Sequence, residues 1–209
     1  MFIEKGSELI IVFRGAETKT NWIAAGWFKK SDIEGGRVHS GFFESYQAVE
    51  EDLKKKLESF KANKTQFTFV GHSFGGAMSI LAAYFAPNTT IKKVITYGCP
   101  KVGDDAFVSS YNAMNISTFR LFNDKDPVPS LPMTAQGFRE IYPEYWITGG
   151  QLRECLGDCR RGLTLDVEDH RIASYIANLR QPLVYVINYA GRLEGFEWII
   201  LSIFFFLYW

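Results

Sequence analysis

Residues 66–77 read QFTFVGHSFGGA. Phe67 and Phe69 alternate with polar neighbours, Val70 follows, and the run stops at Gly71, which predicts a strand. Residues 74–86, FGGAMSILAAYFA, predict a buried helix. Ser73 therefore lies at an abrupt strand-to-helix reversal, and Gly71, His72, Ser73, Phe74 and Gly75 match G-x-S-x-G in its expected context. A serine in such a turn has a strained backbone, and only residues without a bulky side chain fit two positions before and after it. Gly71 and Gly75 meet that demand, and Gly76 permits close helix–strand packing. The reversal pushes Oγ up at the carboxyl edge of a sheet and at a helix amino terminus, where backbone N–H groups favour negative charge. The bland alternative is a glycine-rich turn carrying an ordinary serine; the flanking strand and helix speak against it.

Outward from this turn, strands and helices alternate. ELIIVFRG (8–15), KKVITYG (92–98) and STFRLF (117–122) read as strands. Residues 39–63 carry Phe42, Phe43, Tyr46, Val49, Leu53, Leu57 and Phe60 at helical spacing with charges opposite. Residues 104–114 and 167–179 read as further helices, and 138–148 as two strand pieces broken at Pro143. The alternation predicts an α/β fold with a mostly parallel central sheet and helices on both faces. The 209 residues are 47% apolar and 16% aromatic, a globular composition, and no linker or repeat divides them. One domain over 1–209 is expected, with an atypical apolar tail over 196–209. Lys plus Arg and Asp plus Glu number 23 each, with no basic stripe, which excludes nucleic acid as a partner.

A serine hydroxyl needs a base to act as a nucleophile. The chain has three histidines. His72 adjoins Ser73 and should point away from Oγ. His39 precedes the serine, at the start of a helix, and reads as a structural hydrogen-bonding residue. His170 follows it, and the order serine, acid, histidine is that of the α/β-hydrolases, so His170 is the favoured base. The acid should follow a strand at the carboxyl edge. The loop after STFRLF offers Asp124 and Asp126, stiffened by Pro127 and Pro129, and these two stand level. Asp158, Asp166 and Asp169 are weaker, and Asp104 and Asp105 read as helix caps.

Together these residues resemble the class 3 lipases, the fungal triacylglycerol lipase type of α/β-hydrolase. The matching pieces run in the family's order: IVFRG (11–15), NWIA (21–24), VHSGF (38–42), GHSFGGA (71–77), YGCPKVGDDAF (97–107), DPVPSLP (126–132), PEYWI (143–147) and Asp169-His170. The resemblance selects Asp126 as the acid and implies a Ser73, His170, Asp126 triad acting through an acyl-enzyme on acylglycerols or other carboxylic esters. It implies no metal or organic cofactor. Feruloyl esterase or phospholipase activity on the same fold, or a catalytically dead lipid-binding relative, are the alternatives. It places the oxyanion-hole donors at the backbone N–H groups of Ala16 and Phe74. Alanine at position 16 lacks the hydroxyl that the family usually carries there, which implies a weaker hole. It also places a lid over Glu17 to Ile23, with Thr20, Asn21, Trp22 and Ile23 as its candidate residues and Trp22 as the apolar one; a plain surface loop with a packed tryptophan is the alternative.

Cys155 and Cys159 are close enough in sequence to form a small disulfide loop or to stay as thiols, and Cys99 reads as a buried small hydrophobe. Three sequons, at Asn63, Asn88 and Asn115, lean towards a secretory route, although MFIEKGSELI is no signal peptide. Family members carry several tens of residues before IVFRG, against ten here, so a truncated chain lacking an edge strand and a covering helix is expected. The tail WIILSIFFFLYW (198–209) would cover about 18 Å as a helix, short of a hydrocarbon core of about 30 Å. It reads as a last core element or as read-through, with peripheral membrane contact as the alternative.

Overall fold

The apolar runs pair into one twisted layer. The computed structural model describes residues 1–15, 28–61, 66–86, 90–149, 151–157 and 166–187. In chain order the elements are β1 (Phe2–Lys5), β2 (Glu8–Phe13), β3 (Lys30–Ile33), β4 (Gly36–His39), α1 (Ser40–Lys61), β5 (Gln66–His72), α2 (Phe74–Phe85), β6 (Ile91–Tyr97), α3 (Asp105–Ala113), β7 (Thr118–Asn123), β8 (Glu144–Thr148), β9 (Gln151–Cys155) and α4 (Ile172–Ile187). Short 3-10 turns cover Val128–Ser130, Thr134–Gln136 and Val167–His170. A seven-stranded sheet has the order β1-β2-β5-β6-β7-β8-β9. Its five middle strands are parallel, and β1 and β9 close the two edges antiparallel.

Both faces of this sheet are covered, which is why its strands read as apolar runs rather than as clean alternations. Leu9, Ile11, Phe67, Phe69 and Val94 face one way, against Phe42 and Tyr46 of α1, Ile80 and Leu81 of α2, and Phe107 of α3. Ile10, Val12, Val70, Ile95 and Tyr97 face the other way, in one cluster with Tyr175, Ile176 and Leu179 of α4. At the amino edge, buried Glu8 ties three strands together. It accepts from Thr68 Oγ1 at 2.5 Å and pairs with Lys92 Nζ at 2.8 Å. Because the middle strands are parallel, the segments that follow β5 and β7 emerge at the same carboxyl edge.

Several elements differ from the sequence reading. Residues 138–142 form no strand: Phe138 is fully buried, and Arg139 only bridges Gly103. The helix read over 167–179 is split, because Asp166 caps a 3-10 turn and Arg171 is extended (φ −66°, ψ 137°) before α4 begins. His39 ends β4 rather than opening α1, and its Nδ1 accepts from the Gly41 N–H at 3.2 Å, a structural role as expected. β1, the β3–β4 hairpin and β9 are too short or too polar to announce themselves. The hairpin turns through Gly35 and Gly36 at φ 94° and 146°, so its Gly-Gly pair was the available signal.

One cross-strand pair is buried in the sheet. Arg120 of β7 and Glu144 of β8 are register partners, 3% and 1% exposed at the side chain, with Nη2 3.1 Å from Oε1. Nη2 also donates to the Cys99 carbonyl at 3.3 Å. Removing one partner strands a buried charge, whereas removing both does not. Arg120→Met should therefore cost about 3–5 kcal/mol, and Arg120→Met combined with Glu144→Leu clearly less. Urea denaturation of the two variants checks this.

Candidate active site

β5 ends at His72, and α2 begins at Phe74, so a single residue makes the reversal. Ser73 takes φ 55° and ψ −124°, a conformation that side chains rarely adopt. Two glycines make it sterically available. A Cβ at Gly71 would run into the Gly75 backbone, and one at Gly75 into the Phe13 carbonyl at the end of β2. At Gly76 a Cβ would lie 2.8 Å from Cys99 Cβ. Cys99 is buried, as read, and burial pushes its thiol up to about 11. The Ser73 N–H is held by the Tyr97 carbonyl at 2.8 Å, which fixes the turn to β6.

Ser73 Oγ lies 2.8 Å from His170 Nε2. His170 Nδ1 lies 2.9 Å from Asp126 Oδ2 and 3.1 Å from Oδ1. With Nδ1–H donating to the carboxylate, Nε2 is left to accept from the serine hydroxyl. Asp126 is fully buried, and its oxygens also accept from Val128 N–H at 2.8 Å and from Tyr175 O–H at 2.6 Å. Asp124, level with Asp126 on sequence grounds, turns elsewhere: its Oδ1 accepts from Thr148 Oγ1 at 3.0 Å. Asp166 caps the 3-10 turn, and Asp169 Oδ2 accepts from Lys125 N–H at 3.0 Å. Asp104 caps α3 by accepting from Phe107 N–H at 3.1 Å.

The segment carrying His170 comes from far along the chain and is tied down at several points. Asn123 Nδ2 donates to the Asp169 carbonyl at 3.0 Å, and Asn178 Nδ2 to Asn123 Oδ1 at 2.8 Å. His72 Nε2–H donates to the His170 carbonyl at 2.7 Å, and the two imidazole rings lie 4.8 Å apart. Tyr175, which the sequence did not single out, accepts from Asn123 N–H at 3.0 Å while donating to Asp126. Its place on an apolar helix face gave no sign of this second role. Gly98 follows β6 and lies against the Asp126–His170 contact. At φ 55° it passes so close that a Cβ would lie 2.7 Å from Asp126 Oδ2 and 2.9 Å from His170 Nδ1.

Other expected site residues are partly out of view. Phe74 opens α2 directly after Ser73. Ala16, the lid residues Thr20, Asn21, Trp22 and Ile23, Cys159, Asp158 and the 196–209 tail lie outside the described residues. Cys155 is buried. Gly15 brings the chain beside the turn: a Cβ there would lie 3.7 Å from Ser73 Cβ. No helix among the described residues is long and apolar enough to cross a membrane.

A parallel sheet with a strained serine between strand and helix, faced by a histidine from a late segment, defines the α/β-hydrolase fold. The sequence model "Lipase (class 3)" matches residues 10–136. Secreted mono- and diacylglycerol lipase 1 of Fusarium solani is 36% identical over 151 residues, covering 69% of this chain and 45% of that protein. The lipase of Rhizomucor miehei is also 36% identical over 151 residues, covering 67% and 42%. The solved Rhizomucor miehei lipase propeptide complex superposes with a TM-score of 0.69 at 31% identity, covering 79% of this chain and 60% of that one. A solved triacylglycerol lipase whose catalytic centre is formed by a serine protease triad does so with a TM-score of 0.70 at 31% identity, covering 79% and 70%. The chain belongs to the class 3 lipase family. It spans about half the length of the curated relatives that it matches.

The latch at His72 has a consequence for stability. Burial first, and the neighbouring His170 imidazole second, push the His72 imidazole from 6.5 down to about 4. The folded state then binds fewer protons than the unfolded chain between those two values, so stability rises with pH across that window. On acidification from 6.5 to 4 this group should remove up to about 3 kcal/mol. Urea midpoints measured at steps between pH 7 and pH 4 should fall, and His72→Gln should flatten that fall.

Proposed function

We propose that this chain is a serine hydrolase that cleaves carboxylic esters, acylglycerols among them, through an acyl-enzyme. The contact of Ser73 Oγ with His170 Nε2 at 2.8 Å, with Asp126 behind the imidazole at 2.9 Å, carries the reading. Ser73 Oγ attacks the ester carbonyl while His170 takes its proton. Asp126 keeps the imidazole in the reactive tautomer and stabilises the imidazolium. The backbone N–H groups of Phe74 and Ala16 receive the developing oxyanion; the position of Phe74 at a helix start and of Gly15 beside the serine supports that pairing. His170 then protonates the leaving alcohol, and water, activated the same way, releases the acid. The Fusarium solani relative, named as a secreted mono- and diacylglycerol lipase, supports acylglycerols as the substrate class, and the word "secreted" in its name, with the three sequons, supports action after secretion.

A fluorophosphonate probe should label Ser73 in the wild-type chain and leave Ser73→Ala unlabelled. Asp126→Asn should lower kcat by roughly 10⁴-fold, as expected when the imidazole loses its orienting carboxylate. Hydrolysis of p-nitrophenyl esters of increasing acyl length should favour medium or long chains. Cleavage confined to acetyl or aromatic acyl groups would sink the acylglycerol reading in favour of an esterase. A folded sample whose Ser73 stays unlabelled would instead indicate a lipid-binding relative without activity.

Gly98→Ala gives a separate check on the same geometry. Its methyl would press on the Asp126–His170 contact, and a misplacement of that order should cost about 10²-fold in kcat. Circular dichroism should show the fold retained.

A further inference from the structure

We propose that Asn115 is an N-glycosylation site, and that the first N-acetylglucosamine settles in the adjoining groove beside Tyr142. The proposal rests on the secretory route given above. Asn115, Ile116 and Ser117 form the acceptor pattern N-x-S. Both Asn115 and Ser117 are exposed. Asn115 follows α3 at φ 52°, with its N–H on the Asn112 carbonyl at 3.0 Å. That left-handed position accounts for an asparagine. It makes no demand on residue 117, and the serine two places on is what an acceptor sequence needs.

The surroundings suit a sugar. An open groove of about 350 Å³ is lined by Asn112, Asn115, Ile116, Thr118, Tyr142 and Pro143, among others. Tyr142 is 38% exposed and lines this groove with exposed Asn112, an aromatic and an amide of the kinds that meet the C–H face and the hydroxyls of a pyranose. The position also spares the proposed chemistry. Asn115 lies before the start of β7, whereas Asp126 lies beyond its end. Six residues of strand separate them by about 20 Å, so a glycan at the amino edge leaves the carboxyl edge open to substrate.

The transfer uses a lipid-linked oligosaccharide pyrophosphate as donor. The Asn115 side-chain amide nitrogen bonds to C1 of the first sugar and loses one proton. The C1–O bond to the pyrophosphate breaks, and the lipid pyrophosphate leaves with the electron pair. No oxidant or reductant is involved. The other two sequons, at Asn63 and Asn88, lie outside the described residues and carry no part of this inference.

The test is translation of the full chain, behind a cleavable signal sequence, in the presence of rough microsomes. Protease-protected chain is then treated with peptide N-glycosidase in heavy-oxygen water and mapped by mass spectrometry. Wild type and Ser117→Thr should show the heavy-oxygen aspartate mark at position 115, and Ser117→Ala should lose it. Ser117→Ala keeps the asparagine that the turn requires, so its loss reports the acceptor and not the fold. Tyr142→Ala should retain the mark and make the glycan more readily removed from the native protein. Protected wild-type chain that is unmodified at Asn115 would overturn the site, and equal marking in wild type and Ser117→Ala would do the same. Neither readout depends on ester hydrolysis, so failure here is distinguishable from failure of the hydrolase reading.

Discussion

The strained backbone of Ser73 is the constraint on which the rest of the structure hangs. A residue in such a conformation costs about 1–3 kcal/mol and persists only when its surroundings over-determine it. Here the N–H of Ser73 is bonded to β6, its carbonyl accepts from the Gly76 N–H at 2.9 Å, and Gly71 and Gly75 approach one another more closely than any Cβ would allow. Gly75 in turn rests on the last carbonyl of β2. The strain is thus held by three neighbouring parallel strands, and the sheet order β2-β5-β6 is what places them there.

The histidine is held by different means. It ends a single 3-10 turn, outside any α-helix or strand, so its position comes from hydrogen bonds that cross the chain. His72 grips its carbonyl, Asn123 grips the carbonyl of the residue before it, and Asp126 grips its ring. Tyr175 joins these ties by bonding both the Asn123 amide and the Asp126 carboxylate. The proton transfer proposed for His170 requires the imidazole to stay within hydrogen-bond reach of its partners. Cross-chain bonds to rigid strand ends give a loop residue that precision. The same network leaves little room, which is why residue 98 is a glycine.

The parallel sheet also separates the molecule into two edges with different chemistry. At the carboxyl edge the ends of β5 and β7 deliver Ser73 and Asp126. At the amino edge Glu8, Thr68 and Lys92 make a structural cluster, and the turn at Asn115 is exposed. Strand direction alone decides that separation, because every strand–helix reversal that follows a parallel strand exits on the same side.

Much of this was written locally in the sequence. The run QFTFV ending at Gly71, with glycines at 75 and 76, contains its own turn geometry, since only glycine tolerates the approaches that a one-residue reversal forces. The apolar runs of β2, β5, β6 and β7 announced a sheet covered on both faces, and chain order singled out His170. Short or polar elements did not announce themselves: QLREC becomes a strand only because the exposed edge of β8 needs a partner, and Arg139 pairs with Gly103 across a long loop. The choice between Asp124 and Asp126 was beyond local reading as well, because two residues in one loop share composition and neighbours, and only the resemblance separated them. Direction in space distinguishes them physically. Tyr175, Gly98 and His72 acquire their roles from contacts between segments dozens of residues apart, and no local pattern encodes a contact whose other half arrives from elsewhere in the chain.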